Sequence, residues 1–247
     1  MIGRQFRGPP NSGNGGYVCG VLADGLDGVV TSVIRAPVPL DVELGFQRGE
    51  GVNQLLGEEG VLLGEGKAVA ATLPEAPPAP TLDEARAAGG RFLGHQERIH
   101  PPCFTCSTER EEGEALRVFP GQLDGAEPGV IACAWTPHAA FGDAEGRLTT
   151  ANLWAAMDCP GFIAWCVKDG RHGALLGTMT GEVLERPKVG EACIILAWPI
   201  SREGRKEFAG VALYGADGRL MARAHQVWIV MGPRAPEAAA STEAASA

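Results

Sequence analysis

Two short segments of the chain combine residue types that could do chemistry on an acyl group. In the first, Asn14 is followed by Gly15 and Gly16 where a helix is predicted to begin. The first N–H groups of a helix have no partner within it, and glycines let a carbonyl oxygen approach them closely. In the second, Asp158 precedes Cys159-Pro160-Gly161 in an otherwise apolar helical segment, where an acid either caps a broken helix or is a buried group with a perturbed pKa. A carboxylate and backbone donors are two parts that acyl-group hydrolysis needs.

Each of these residues also has a purely structural interpretation. Asn14 and its glycines would serve equally as a helix N-cap with tight packing. Asp24, a second candidate carboxylate two to three turns further along the first helix, is followed by Gly25 and could be a solvated residue of the next loop. Tyr17 and Trp154 are predicted to lie in the core or in a pocket wall rather than to act in catalysis.

A third segment carries residues that metals prefer. His95, His100, Cys103 and Cys106 supply four ligands of the types found in tetrahedral zinc sites. The segment is short, however, and Pro101-Pro102 favours an extended connector, so a redox pair or a turn without metal are the alternatives. Zinc bound here is expected to be structural and to stabilise the conformation of the segment that joins the two halves of the chain.

The remaining cysteines suggest a reducing compartment. The chain has seven cysteines, an odd number, and Cys19, Cys133, Cys166 and Cys193 lie in apolar runs where they are expected to be buried thiols. Residues 1–10 are polar and lack the apolar stretch of a secretory signal. We therefore expect a cytoplasmic protein without a disulfide framework.

Composition excludes two classes of partner. Of the 247 residues, 45% are hydrophobic and 21% are charged, which is typical of a globular protein with a substantial core. The net charge is −9, and no Lys/Arg cluster is longer than Arg205-Lys206, so a nucleic-acid partner is not expected. No run approaches 18 apolar residues, so no membrane span is expected.

The two halves of the sequence match each other in three gapless windows. The offset between matched residues grows from 145 to 150 to 158, and it grows only where surface loops are predicted. At the offset of 145, Gly16-Tyr17-Val18 match Gly161-Phe162-Ile163. At the offset of 150, Val33, Ile34, Pro37 and Asp41 match Val183, Leu184, Pro187 and Glu191. At the offset of 158, Gly57–Gly60 match Gly215–Gly218. We interpret the chain as two diverged copies of one unit, and chance similarity of two β-rich halves is the alternative.

Both halves predict the same order of elements: a helix, a strand, a Pro-containing turn, a second strand and a hairpin. In the first half these are Gly15 to Leu26, Val29 to Ile34, Asp41 to Phe46, and the hairpin of Gln54 to Leu56 with Val61 to Ala71. In the second they are Ala151 to Val167, Leu175 to Leu184, Ala192 to Trp198, and the hairpin of Glu207 to Tyr214 with Arg219 to Val230. One helix followed by an antiparallel meander predicts an α+β fold.

The stretches around these copies complete the predicted organisation. Two further strands, Ala115 to Phe119 and Val130 to Trp135, precede the second helix. Thr81 and Glu84 have capping-box spacing, which predicts a short helix through Ala88. The predicted divisions are an N-terminal copy at 1–73, a linker at 74–106, a C-terminal copy at 107–231 and a disordered tail at 232–247.

The stretch from Asn14 to Asp24, Asn-Gly-Gly-Tyr-Val-Cys-Gly-Val-Leu-Ala-Asp, resembles the His-Gly-Gly…Leu-Ala-Asp signature of phenylacetate-pathway-type hotdog thioesterases. The second copy carries Trp154–Gly161 at the corresponding helix, and the Asp217–Leu220 hairpin is similar to hotdog meanders. The resemblance covers roughly residues 10–72 and 113–231, in a double-hotdog arrangement. Asn14 stands where the signature has His, and Asp24 lies one residue further along than the family's helix Asp.

The resemblance implies a double hotdog in which two central helices are each wrapped by a curved antiparallel sheet. It also implies an acyl-CoA or acyl-carrier thioesterase, a hydrolase that requires no cofactor and is compatible with homo-oligomers. The residues that it assigns to catalysis are Asp24, Asp158 and Asn14, and those that it assigns to substrate binding are Gly15, Gly16, Tyr17, Trp154 and Gly161. Candidate contacts for CoA phosphates are Arg4, Arg7, Arg35, Arg202, Arg205 and Lys206.

Two alternatives to a thioesterase stay open. One is a protein that binds acyl thioesters, or acts as a scaffold, without catalysis. The other is a hotdog dehydratase or isomerase, which generally pairs an acid with a histidine. The five histidines all fall outside the two predicted central helices, which disfavours the dehydratase; they are His95, His100, His138, His172 and His225.

Overall fold

The structure is a computed structural model that describes residues 1–96 and 102–232. The predicted ligand His100 and positions 233–247 of the predicted tail lie outside the described residues. The α-helices are α1 (Gly15–Ala23), α2 (Leu82–Gly89), α3 (Thr150–Ala156) and α4 (Asp158–Asp169). The strands are β1 (Val29–Ile34), β2 (Gly45–Gly49), β3 (Val52–Leu56), β4 (Leu62–Ala68), β5 (Gly121–Gln122), β6 (Ile131–Trp135), β7 (Ala174–Val183), β8 (Cys193–Glu203), β9 (Lys206–Gly215) and β10 (Leu220–Val230).

These strands form one antiparallel sheet with the order β2-β3-β4-β1-β7-β10-β9-β8-β6-β5. Read outward from its centre, the first half has the order β1-β4-β3-β2 and the second has β7-β10-β9-β8. The two halves therefore repeat one order of a strand followed by a three-stranded meander. This repetition favours the duplication hypothesis.

The two halves join where β1 pairs with β7. Val30 pairs with Gly181, and Thr31 pairs with Thr180, whose hydroxyl lies 2.9 Å from that of Thr31. At the offset of 150, Val30 corresponds to Thr180, and Thr31 corresponds to Gly181. If each residue is replaced by its counterpart in the other copy, the pair of Val30 with Gly181 becomes the pair of Thr180 with Thr31. The sheet thus has its approximate symmetry axis at this junction.

Two layers of helix cover opposite faces of the C-terminal half of the sheet. On β8, Ile195 and Ala197 belong to the main core that also contains α3 and α4, whereas Ile194 and Leu196 pack with Ala85 of α2. Successive side chains of a strand point to opposite faces, and here both faces are buried. This explains why β8 has a continuous apolar run rather than an alternating one. The capping box of Thr81 and Glu84 at the start of α2 is present as predicted.

The second central helix is interrupted, which corrects the prediction of one helix from 151 to 167. The break lies at Met157, between α3 and α4. Pro160 explains it, because proline has no N–H to donate to the carbonyl of Ala156 one turn earlier. Asp158 therefore begins a new helix instead of lying in the middle of a long one.

Three other predicted elements differ from the structure. The first helix ends at Ala23 rather than Leu26, and the strand predicted from 41 to 46 is displaced to Gly45–Gly49. Residues 115–119 form no regular strand, because their backbone bonds to the preceding loop instead. Leu116 N–H donates to Phe104 at 2.8 Å, and Val118 N–H donates to Thr105 at 2.9 Å.

The helices α1 and α3 approach each other so closely that Gly20 cannot carry a side chain. A Cβ atom at Gly20 would lie 2.6 Å from Ala151 Cα and 2.8 Å from Trp154 Cβ. We expect Gly20→Ala to lower the free energy of unfolding by about 1–3 kcal/mol, because overpacking outweighs the better helix propensity of alanine. Urea denaturation measures this loss. Gly3→Ala is the control, since nothing lies within 4 Å of its added Cβ; equal stability of the two variants would contradict this packing.

Candidate active site

The site begins with a buried hydrogen bond between the two halves of the chain. The side-chain amide of Asn14 donates to Asp158 Oδ2 at 2.6 Å and to Thr105 Oγ1 at 3.2 Å, and it lies 3.8 Å from Cys103 Sγ. Asn14 and Asp158 are 1% and 3% exposed. The structure thus brings together two residues that the sequence assigned separately to catalysis.

The helix start at α1 fixes how Asn14 is oriented. Asn14 is the N-cap residue, and its Oδ1 accepts a hydrogen bond from the N–H of Tyr17 at 2.9 Å. With its oxygen engaged in this way, the amide must turn its NH₂ group toward Asp158. The N-cap interpretation and the functional interpretation of Asn14 are therefore compatible, because the N-cap contact leaves the NH₂ group directed at Asp158.

Gly16 allows the two helix starts to meet. A Cβ atom there would lie 2.6 Å from both Asp158 Cβ and the carbonyl oxygen of Trp154. The N–H groups of Gly15 and Gly16 belong to the first turn of α1, which has no acceptors within the helix. The N-terminal ends of α1 and α4, both favourable for negative charge, consequently lie beside the carboxylate.

The carboxylate of Asp158 is only partly satisfied. Oδ2 accepts from Asn14, whereas Oδ1 has no hydrogen-bond partner in the described parts of the chain. The backbone N–H of Gly16, at the start of α1, favours the charged form of the carboxylate. Burial raises the pKa of Asp158 to about 7, negative charge on Cys103 acts in the same direction, and the Gly16 and Asn14 donors act in the opposite one. A base with a pKa near neutrality suits general acid–base chemistry.

Strand β10 holds the backbone at the start of α4. Gln226, which is fully buried, donates to the carbonyl oxygens of Met157 at 2.7 Å and Asp158 at 3.2 Å, and it accepts from Trp228 Nε1 at 2.9 Å. Gly161 makes room for it, because a Cβ atom there would lie 1.8 Å from Gln226 Oε1. Gly161 therefore has a packing role behind the site rather than a position in contact with a ligand.

Three buried cysteines lie next to the carboxylate. The Sγ atoms of Cys103, Cys106 and Cys159 all lie within 4.8 Å of one another, and those of Cys103 and Cys159 are 3.4 Å apart. Hydrogen bonds from Cys106 and Cys159 hold the pKa of Cys103 well below its usual range. The same hydrogen bonds and burial raise the pKa of Cys106 and Cys159.

A pocket of about 270 Å³ opens onto this group of residues. Its polar wall contains Asn14, Gly15, Cys103, Asp158 and Cys159. Most of its remaining lining is apolar and comes from both halves of the chain, including Val18, Val38, Phe162, Leu176, Trp228 and Ile229. An apolar cavity with a few convergent polar groups at one end is the usual form of a binding site for a small molecule.

Comparison with solved structures identifies the architecture. A "putative thioesterase II" from Thermobifida fusca is 18% identical, with a TM-score of 0.60 over 93% of this chain and 91% of that one. A conserved protein of unknown function with hot dog fold from Alicyclobacillus acidocaldarius is 14% identical, with a TM-score of 0.59 over 94% of this chain and 91% of that one. The chain is a double hotdog. Neither a protein-family model nor a curated protein matches the sequence.

The predicted catalytic residue Asp24 lies away from the site of this double hotdog. It is the C-cap residue of α1, at the opposite end of that helix from Asn14, and its side chain is 53% exposed. Its carboxylate pairs with Arg48 at 3.0 Å. The structure corrects this prediction, because α1 ends at Ala23 and Asp24 therefore faces solvent rather than a partner helix.

Two predicted binding residues have other surroundings. Tyr17 stacks on Phe6 with ring centroids 4.0 Å apart, and Phe104 packs edge-on against both rings. Trp154 is buried against Gly181 and contributes to a separate pocket near the end of α1. Both residues pack the core of the double hotdog, and neither lines the pocket beside Asp158.

The predicted metal ligands are not all brought together among the described residues. His95 lies at the end of a short 3₁₀ helix, where its ring packs against Phe92 and Phe119. In its place, the structure puts Cys159 of α4 beside Cys103 and Cys106. The segment that contains these two cysteines is buried against α4 and does not form part of an exposed linker.

Sequence reasoning missed Cys159, Thr105 and Gln226 as members of the site. Gln226 carried a detectable signal, because it alternates with Ala222, Ala224 and Trp228 on the apolar face of its strand, and a polar residue there needs a buried partner. Thr105 lies between the two cysteines, and its hydroxyl donates to the carbonyl of Ala155 at 2.7 Å. No local pattern pairs Cys159 with a loop 56 residues earlier.

We expect Asn14→Ala to lower the free energy of unfolding by about 2–4 kcal/mol, since it removes an N-cap and a hydrogen bond to a buried carboxylate. Thr149→Ala is the matched control, because Thr149 caps α3 through a hydrogen bond of 3.3 Å from Asn152 N–H. The loss for this control is about 1 kcal/mol. Chemical denaturation of both variants measures the difference, and a smaller loss for Asn14→Ala than for Thr149→Ala would refute the coupling to Asp158.

Proposed function

We propose that this chain is a thioesterase that hydrolyses an acyl-CoA or acyl-carrier thioester in the pocket beside Asp158. The proposal depends on the surroundings of the Asp158 carboxylate. This carboxylate is buried and lines an apolar pocket, and its Oδ1 has no hydrogen-bond partner among residues 1–96 and 102–232. The Thermobifida protein named as a thioesterase shares the fold, which makes this chemistry the first to test.

The geometry supports general-base hydrolysis. Asn14 holds Oδ2 of Asp158, so Oδ1 is left to accept a proton from water. The water oxygen attacks the thioester carbonyl carbon as Asp158 takes a proton from it. Asp158 returns that proton to the thiolate sulfur when the C–S bond breaks, which releases a carboxylic acid and a thiol. The N–H group of Gly15, which lines the pocket at the start of α1, is the candidate donor to the developing oxyanion, whereas the N–H of Gly16 acts on Asp158.

The shape of the pocket is compatible with an acyl chain. The side chains of Val18, Leu176 and Trp228 give it apolar walls, and hydrocarbon groups gain about 0.8 kcal/mol per buried CH₂. Arg35 also lines the pocket, with its side chain 49% exposed beside Glu65. Of the six cations considered for phosphate binding, Arg35 is therefore the one positioned to contact a CoA phosphate at the pocket mouth.

The composition of the pocket lining does not favour a dehydratase. Hotdog dehydratases combine an acid with a histidine, and no histidine belongs to the described lining of this pocket. His172 instead lies 2.8 Å from Glu207, and His138 caps a 3₁₀ helix. A thioesterase needs no such histidine when a carboxylate activates water.

We expect Asp158→Asn to lower the rate of thiol release from acyl-CoA substrates at least about 100-fold, because the amide cannot act as a general base. The assay follows free CoA thiol with a chromogenic thiol reagent over substrates of increasing chain length. Asp24→Asn is the matched control and is expected to keep wild-type turnover, since Asp24 is exposed and distant from the pocket.

Three results would contradict the proposal. Wild-type turnover in Asp158→Asn would show that the base is elsewhere. Saturable binding of acyl-CoA by the wild type without thiol release would indicate a non-catalytic binding protein. A change in double-bond absorbance without thiol release would indicate a dehydratase or isomerase.

A further inference from the structure

The cluster of Cys103, Cys106 and Cys159 has a geometry that the proposed hydrolysis does not use. All three side chains are buried, and their sulfur atoms lie within 4.8 Å of one another. The other four cysteines are also buried, but none of them belongs to such a group among the described residues. Burial of hydrophobic thiols alone does not require three of them to converge on one point.

The sulfur positions fit the coordination of a thiophilic metal ion. Zinc–sulfur bonds of about 2.3 Å place tetrahedral ligands about 3.8 Å apart. The distance of 3.4 Å between Cys103 Sγ and Cys159 Sγ and the limit of 4.8 Å for the group bracket this value. An ion equidistant from the three sulfurs would therefore require only small side-chain movements.

The loop that carries two of the ligands is held in place by its backbone. Phe104 N–H donates to the carbonyl of Arg7 at 2.7 Å, and Ser107 N–H donates to that of Cys103 at 3.2 Å. The carbonyl groups of Phe104 and Thr105 accept from the segment at 116–118. Cys159 is fixed independently by α4, so two rigid elements present the three thiols.

The carboxylate beside the cluster is not paired with a cationic side chain among the described residues, although Arg110 lies near enough to Cys103 for their charges to interact. Asp158, adjacent to Cys159, has one oxygen without a partner, and no cationic side chain in the described parts of the chain forms an ion pair with it. A buried carboxylate beside ionisable thiols is costly unless a cation compensates it. A bound metal ion would supply that compensation.

We propose that Cys103, Cys106 and Cys159 bind a thiophilic transition-metal ion, for which Zn²⁺ fits the ligand set, in the wall of the pocket. The ligand set differs from the sequence prediction, because Cys159 replaces His95. Cys103 and Cys159 line the pocket, so a fourth ligand would come from the side of the cavity. The site does not depend on thioester hydrolysis.

Titration of the reduced, chelator-treated full chain with Co²⁺ and then Zn²⁺ tests this proposal. We expect one Co²⁺ per chain, with thiolate-to-cobalt charge-transfer absorption in the near ultraviolet that Zn²⁺ abolishes. Cys159→Ser is expected to lose this absorption. Cys133→Ser is the matched control, because Cys133 is equally buried but lies outside the cluster, and it is expected to bind like the wild type.

Absence of the charge-transfer absorption in the wild type, or its full retention in Cys159→Ser, would overturn the proposal. If Cys159→Ser does not fold, X-ray absorption of the zinc-loaded wild type decides instead. Three sulfur neighbours at about 2.3 Å support the site, and a shell of nitrogen and oxygen alone refutes it. Metal content is measured without substrate, so failure of this proposal and failure of the thioesterase proposal are distinguishable.

Discussion

The structure depends on one buried hydrogen bond, from Asn14 to the carboxylate of Asp158, between residues 144 positions apart. It requires Asn14 to cap α1, Gly16 to lack a side chain, and the second central helix to break before Asp158. Each requirement has a local cause. Asn14 has a side chain that caps a helix, Gly16 has no side chain, and Pro160 interrupts the helix that precedes Asp158. Together they place two helix N-termini on one side of an apolar pocket.

This arrangement is not the most stable one available to a core. Burial of a carboxylate with one free oxygen costs free energy that an apolar residue of similar size would not. The donors supplied by Asn14 and Gly16 offset part of that cost, and the start of α4 contributes favourable electrostatics. The position of Asp158 at the start of α4 gives it a structural reason to be acidic, and its place beside a pocket makes it a candidate for chemistry as well.

Local patterns in the sequence predicted most of the elements, but not all of their bounds and none of their contacts. The strand Val29–Ile34 and the capping box at Thr81 follow from residue types within a few positions, and both are present in the structure. The meeting of Asn14 with Asp158 and of Cys103 with Cys159 depends on how distant segments pack, which no short window records. Asp24 was misassigned for a related reason, because a helix ending at Ala23 instead of Leu26 turns that carboxylate toward solvent.

The most direct test of the account is a crystal structure with a non-hydrolysable acyl-CoA analogue in which a thioether or ketone replaces the thioester. The account predicts that the acyl chain fills the pocket between Val18 and Trp228, and that the group replacing the thioester lies within hydrogen-bond reach, about 2.6–3.2 Å, of Asp158 or of a water bound to it. Binding of the analogue in the separate pocket beside Trp154, or with its acyl chain outside the cavity next to Asp158, would contradict the account.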